Sequence, residues 1–201
     1  MIRVGITGGI GCGKSTVLAE FEKIGVPCFI SDRAGADCYR NRVFLKELRQ
    51  LFGDAVFLPD GSVDKKAIAA RVFADHRLME QLNRMVHPRV MHRFEQFCLQ
   101  NATADYVLFE SAILYDYGFD RMMDAVVCVY LDLEERISRL AVRDGVSRSQ
   151  IMSRIAAQMP AEEVMMKADY VILNYEGNPR QRQVKTIDAW LRRQGGTTIR
   201  T

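Results

Sequence analysis

Eight residues near the N-terminus, Gly8-Gly9-Ile10-Gly11-Cys12-Gly13-Lys14-Ser15, have the spacing Gly-x-x-x-x-Gly-Lys-Ser. That spacing makes a phosphate-binding loop when a strand precedes it and a helix follows. Glycine lets successive backbone N–H groups turn inward around phosphate oxygens, and the helix that follows directs its positive end to the same point. Lys14 can then reach the β- and γ-phosphates of a nucleotide, and the Ser15 hydroxyl can hold Mg²⁺. The loop names a nucleotide donor and leaves the acceptor open.

Transfer of a phosphoryl group to a hydroxyl needs a carboxylate beside the hydroxyl and cations around the moving group. Asp32, just after the apolar stretch Pro27-Cys28-Phe29-Ile30, and the pair Arg139 and Arg143 supply these types. Spaced four apart, the two arginines share one helix face and can point into one cleft. The structural alternatives are a helix N-cap for Asp32 and a solvated basic face for the arginines. A GTP-driven switch would need an Asn-Lys-x-Asp string, and the nearest, Met166-Lys167-Ala168-Asp169, lacks the asparagine. Asp32-Arg33-Ala34-Gly35 fits Asp-x-x-Gly, a pattern too short to decide anything. A transporter ATPase would show a Ser-Gly-Gly-rich signature and an apolar strand ending in Asp-Glu, and neither is present. A small-molecule kinase remains, with a nucleotide-binding scaffold as the non-enzyme alternative.

Apolar runs at 3–7, 27–30, 106–109, 125–131 and 170–173 read as strands, and the later three look buried on both faces, as in a parallel sheet. The spacing predicts a helix over 14–24, stopped by Gly25. Asp132-Leu133-Glu134-Glu135 and Ser147-Arg148-Ser149-Gln150 fit capping boxes, and Asn178-Pro179 places a cap before a first-turn proline. The helix opened there is expected to end near Arg193, with a frayed polar tail over 194–201. Between 32 and 104 helical patterns recur at 34–51, 65–73, 78–86 and 90–99, too long a stretch for one crossover. The expectation is an α/β fold of the P-loop kinase type: a three-layer, single domain with a five-stranded parallel sheet, core 1–31 and 105–195. The helical segment 32–104 would bind the acceptor, and a lid would lie over about 139–160. In such sheets ligands gather at the carboxyl ends of the strands, where the loop, Asp32, Glu110-Ser111 and the arginine helix all fall.

The chain of 201 residues is 48% hydrophobic and 26% charged, and its 28 Lys and Arg exceed 25 Asp and Glu by only three. So small an excess gives no reason to expect nucleic acid or a membrane surface as partner. Five scattered cysteines without histidines at ligand spacing suggest neither zinc nor disulfides. A cytoplasmic protein is the expectation, with weak self-association left open.

Taken together, Thr7 to Thr16, Ile30-Ser31-Asp32-Arg33-Ala34, Leu82 to Pro88, Ser111-Ala112-Ile113-Leu114-Tyr115, Arg139 to Gly145, Ile155 to Pro160 and Ala168 to Asn174 resemble the dephospho-CoA kinase family over nearly the whole chain and in the right order. The resemblance implies transfer of the γ-phosphoryl group of ATP, with Mg²⁺, to the ribose 3′-hydroxyl of dephospho-CoA, the last step of coenzyme A synthesis. It makes Gly11, Cys12, Gly13, Lys14, Ser15 and Thr16 the ATP phosphate site, with Ser15 the metal ligand and Lys14 a catalytic cation. Asp32 becomes the base, Arg139 and Arg143 part of a closing lid with Arg143 at the chemistry, and Asn174 a neighbour of the adenine. Thr7, Asp32, His87, Pro88, Ser111, Ile113 and Leu114 would meet dephospho-CoA. The chain departs from the family at Cys12, usually serine, at Ile30, usually acidic, and over 163–167, where arginines are fewer. A thiol among inward-facing N–H groups is expected to have a lowered pKa, and alkylation of Cys12 to block ATP binding.

Overall fold

The computed structural model describes residues 1–197 of the chain. It forms two compact units, residues 1–30 with the chain from Cys98 onward, and residues 31–97.

The first unit is built on five parallel strands: β1 (Ile2–Thr7), β2 (Cys28–Ile30), β3 (Tyr106–Glu110), β4 (Ala125–Tyr130) and β5 (Tyr170–Leu173), in the order β2-β3-β1-β4-β5. Strand β1 is central, with Ile6 opposite Glu110 of β3 on one side and Val127 of β4 on the other. Val4, Ile6, Leu108, Val127, Val129 and Ile172 are almost wholly removed from water, the pattern of strands covered on both faces. They pack with Val17 and Phe21 of α1 (Lys14–Lys23) and Val184 and Leu191 of α9 (Arg180–Thr197). Helices α6 (Leu133–Asp144), α7 (Arg148–Ala156) and α8 (Ala161–Lys167) join β4 to β5. The parallel α/β architecture expected from the apolar runs is the one observed.

The second unit holds α2 (Ser31–Cys38), α3 (Arg42–Phe52), α4 (Lys65–Ala74) and most of α5 (His76–Gln100), around Phe44, Leu48, Phe52, Val56, Ile68 and Leu82. The helical pattern at 34–51 is two helices, because the Asn41 side chain accepts from the Val43 and Phe44 N–H groups and starts α3 afresh. The patterns at 78–86 and 90–99 are one helix. Pro88 lies inside α5 and does not end it, although its ring removes the N–H that would bond the Arg84 carbonyl. Beside it, the Arg89 guanidinium donates to the Met85 carbonyl at 2.7 Å.

The cap expectations divide. Ser147 and Gln150 form the capping box of α7, but Asp132 makes no side-chain cap to α6, its carboxylate being hydrogen-bonded by the Tyr175 hydroxyl. Asn178 likewise turns its side-chain amide to the Leu173 carbonyl at 3.0 Å, and the Pro179 carbonyl receives the Arg182 and Gln183 N–H groups. Helix α9 runs past Arg193 to Thr197, so the expected fray is not seen at 194–197, and 198–201 lie outside the described residues.

Candidate active site

The loop between β1 and α1 depends on left-handed glycines. Gly11 and Gly13 have φ of 83° and 85°, values that cost a residue with a Cβ roughly 1–2 kcal/mol. Gly13 caps α1, its carbonyl receiving the Thr16 and Val17 N–H groups at 3.1 and 3.2 Å. The Lys14 ammonium donates back to the Gly8 carbonyl at 2.8 Å, so the cation is already held at the loop. Ser15 and Thr16 stand exposed on the first turn of α1.

Cys12 has the opposite orientation. It is 1% exposed and belongs to the core with Ile6 and Val17. Its sulfur is so near Gly8 that a Cβ there would be 2.8 Å away. Burial pushes the thiol pKa up, outweighing the opposing charges of Lys14 and Arg136. The expected lowered pKa is therefore corrected.

Three segments distant in sequence hold the loop. Asn174, fully buried after β5, donates its amide to the Cys12 carbonyl at 2.7 Å and lies so close that any Cβ at Gly13 would collide with it. Arg180 of α9 donates to the Asn174 side-chain oxygen at 3.1 Å, and Arg139 of α6 to the Asn174 backbone carbonyl at 3.0 Å. From the link between α7 and α8, Gln158 accepts the Ile10 N–H at 2.8 Å, while Arg136 of α6 donates to the Ile10 carbonyl at 2.9 Å. The structure thus brings Arg139, Asn174 and the loop together. It adds Arg136, Gln158 and Arg180. Arg136 had a readable signal, since 136, 139, 140 and 143 form one helical stripe; Arg180, separated from Asn174 by a turn, had none.

Arg143 is placed differently. Its guanidinium is 61% exposed and paired with the adjacent Asp144 at 2.7 Å, and Arg154 of α7 shares that carboxylate at 2.7 Å. Together the two cations hold Asp144 at a pKa of about 2. Although Arg139 and Arg143 are four apart, only Arg139 bonds beside the loop.

Of the residues expected to meet the acceptor, Thr7 and Ser111 are buried at the ends of β1 and β3, and Ser111 Oγ accepts the Ile113 N–H at 3.3 Å. Leu114 is wholly buried, and a Cβ on Gly5 would lie 2.8 Å from its methyl group. Its side chain is core packing, which removes it from the expected set. Glu110, 9% exposed at the end of β3, is close enough to Cys12 to raise its pKa further.

In the second unit, Asp32 is the second residue of α2, exposed, and its carboxylate has no protein partner among the described residues. His87 is half-buried within α5, which lowers its pKa, and Pro88 is exposed. The histidine thus sits in a helix that continues past Pro88.

No cluster of three or more His, Cys, Asp or Glu among the described residues could hold a metal ion. A divalent ion would come with the triphosphate and find the Ser15 hydroxyl, which has no protein hydrogen bond of its own among the described residues. Chemically, the loop offers an ammonium at Gly8, a free hydroxyl and a guanidinium at the Asn174 carbonyl. Such a set stabilises the oxygens of a polyphosphate.

Residues 2–179 match the model of the dephospho-CoA kinase family. A Bacteroides fragilis protein named dephospho-CoA kinase is 40% identical over 191 residues, 94% of this chain and 93% of its own length. A crystal structure of a Thermus thermophilus protein superposes with a TM-score of 0.84 at 34% identity, covering 94% of this chain and 97% of that one. The dephospho-CoA kinase of Campylobacter jejuni, 18% identical with a TM-score of 0.68, covers 96% and 98% and shares the fold. Among the described residues, no helix is long and apolar enough to cross a membrane.

Proposed function

Because the chain belongs to the dephospho-CoA kinase family, we propose that its phosphate loop holds the donor and that Asp32 receives the proton of the acceptor hydroxyl. The enzyme phosphorylates dephospho-CoA to coenzyme A with ATP as donor. The hydroxyl concerned is the ribose 3′-hydroxyl, the position that distinguishes the two molecules.

In this reading the loop from Gly11 to Thr16 surrounds the β- and γ-phosphates, and Lys14 leaves the Gly8 carbonyl for their oxygens. Ser15 would hold a Mg²⁺ ion brought with ATP, and the ion would supply charge neutralisation to the triphosphate. Asp32 orients the 3′-hydroxyl and takes its proton as the oxygen attacks the γ-phosphorus. The unpartnered, exposed carboxylate of Asp32 suits that task, because no ion pair must be broken first. Arg139 and Asn174 line the adenine side of the donor. Arg143 reaches a phosphoryl group only by leaving Asp144, so we assign it to a closed form of the lid over 139–160, where water is excluded and ATP hydrolysis suppressed. His87 and Pro88, with Thr7, Ser111 and Ile113, are assigned to the acceptor. Five free cysteines suit a reducing compartment, and we place the enzyme in the cytoplasm.

What carries the reading is the loop itself: left-handed Gly11 and Gly13, a cation at Gly8 and a free hydroxyl at Ser15, in a chain matched to the family from 2 to 179. ADP release should require dephospho-CoA and stay at background with AMP, CMP, thymidylate or shikimate. Asp32→Asn should lower kcat by roughly 10²–10⁴ while leaving Mg-ATP binding intact, the usual worth of a general base. Near-normal turnover in that variant would remove Asp32 from the base role.

A further inference from the structure

Arg136 is the least expected group at the loop. It is 4% exposed, and among the described residues its guanidinium has no carboxylate partner, its one side-chain hydrogen bond running from Nε to the Ile10 carbonyl. The remaining guanidinium atoms crowd Gly9, where a Cβ would stand 2.7 Å from Cζ. Only glycine at position 9 admits this approach. A buried cation without an anion is unfavourable in a folded protein, so its persistence here calls for a compensating charge. The structure puts it against a loop whose chemistry is to receive a polyanion.

Gln158 completes the arrangement from the other side. Its oxygen takes the Ile10 N–H, so the donor and acceptor of this one loop residue are fixed by side chains 148 and 126 positions away in sequence. With both groups of Ile10 tied outward, the segment keeps its turn when no nucleotide is present. A preformed cradle avoids the ordering cost that a slack loop would meet on binding.

We propose that Arg136 and Gln158 are a positioning pair for the donor nucleotide: they hold the Gly9-Ile10 segment in its phosphate-receiving shape, and the unneutralised Arg136 charge raises ATP affinity through the loop. Neither side chain is assigned a contact with the transferred group. The inference rests on the reading of the loop as the ATP site.

The test measures Mg-ATP affinity by titration calorimetry without acceptor, and KM against kcat with dephospho-CoA, for the full-length enzyme. Arg136→Met, which keeps the length and removes the charge, should weaken Mg-ATP at least about tenfold, the equivalent of about 1.4 kcal/mol. It should raise KM for ATP in parallel, lower kcat far less, and flatten the dependence of affinity on salt. Arg136→Lys should restore the salt dependence and only part of the affinity. Gln158→Glu, which keeps an acceptor for Ile10 but introduces an anion at the loop, should weaken Mg-ATP as well. Should Arg136→Met fail to fold, Gln158→Ala carries the test with the same KM-weighted loss. Wild-type affinity in folded Arg136→Met, or in Gln158→Ala where Arg136→Met does not fold, overturns the proposal, as does a loss confined to kcat. Lys14→Met separates the two readings. Loss of binding in Lys14→Met with none in the Arg136 and Gln158 variants overturns only the positioning pair, whereas full binding in Lys14→Met overturns the loop as the ATP site.

Discussion

At the scale of single residues, Cys12 shows how a side chain can stand in a phosphate loop and take no part in phosphate chemistry. Its thiol borders Lys14 and Arg136, and both cations favour the thiolate, yet removal from water has the larger effect and the pKa goes up. Reactivity requires thiolate and access, and Cys12, 1% exposed, lacks both. Iodoacetamide at pH 8 should therefore label Cys12 slowly in the native enzyme, at the same rate with and without Mg-ATP, as read by mass spectrometry of the loop peptide. Rapid labelling that nucleotide suppresses would mean that the sulfur lines the cradle after all. The motif told which backbone groups turn toward phosphate. It did not tell which side chains turn away, because that depends on the core beneath β1 and α1.

At the scale of elements, the same sequence signal succeeds or fails according to what competes for the capping atom. Ser147 and Asp132 both head box-like strings. Exposed Ser147 meets only its own helix's first turn, so its hydroxyl receives the Gln150 N–H while the Gln150 side chain receives the Ser147 N–H. Asp132 meets the Tyr175 hydroxyl, a group from beyond β5 that no local window reveals. Ser147→Ala should thus lower stability by about 1 kcal/mol in urea unfolding, the usual worth of an N-cap. Ser149→Ala, which loses only a hydroxyl contact to Ser147, should stay within about 0.5 kcal/mol, as for surface changes generally. Equal effects at 147 and 149 would leave the cap without energetic weight. The misread break at Pro88 has a similar origin. Proline forfeits one helical hydrogen bond, but the packing of α5 on both sides of it, with Leu82 and Val90 buried, offsets that loss.

At the scale of the whole molecule, the strands were readable because a parallel sheet covered on both faces demands continuous apolar runs, and 125–131 or 170–173 fit nothing else. The loop was readable because its spacing is local. What holds the loop was not, since Cys12 to Asn174 and Ile10 to Gln158 are pairs 162 and 148 residues apart that only the finished fold brings together. Those long connections make a prediction about stability. The loop is bonded to the segments after β4 and β5, so a ligand seated in it should resist unfolding of the first unit as a whole rather than of a local turn. Binding to the native state alone adds RT ln(1 + [L]/Kd), about 2.7 kcal/mol at a hundredfold excess over Kd. Urea unfolding of the wild type should shift by that amount between zero and saturating Mg-ATP, with unchanged slope. Without nucleotide, Lys14→Met should lose little, since the part-buried ammonium gives up one hydrogen bond to Gly8, a net of about 0.5–1.5 kcal/mol. With Mg-ATP the variant should gain almost nothing. A nucleotide-dependent shift of wild-type size in Lys14→Met would place the binding energy elsewhere in the molecule and separate the loop from the donor.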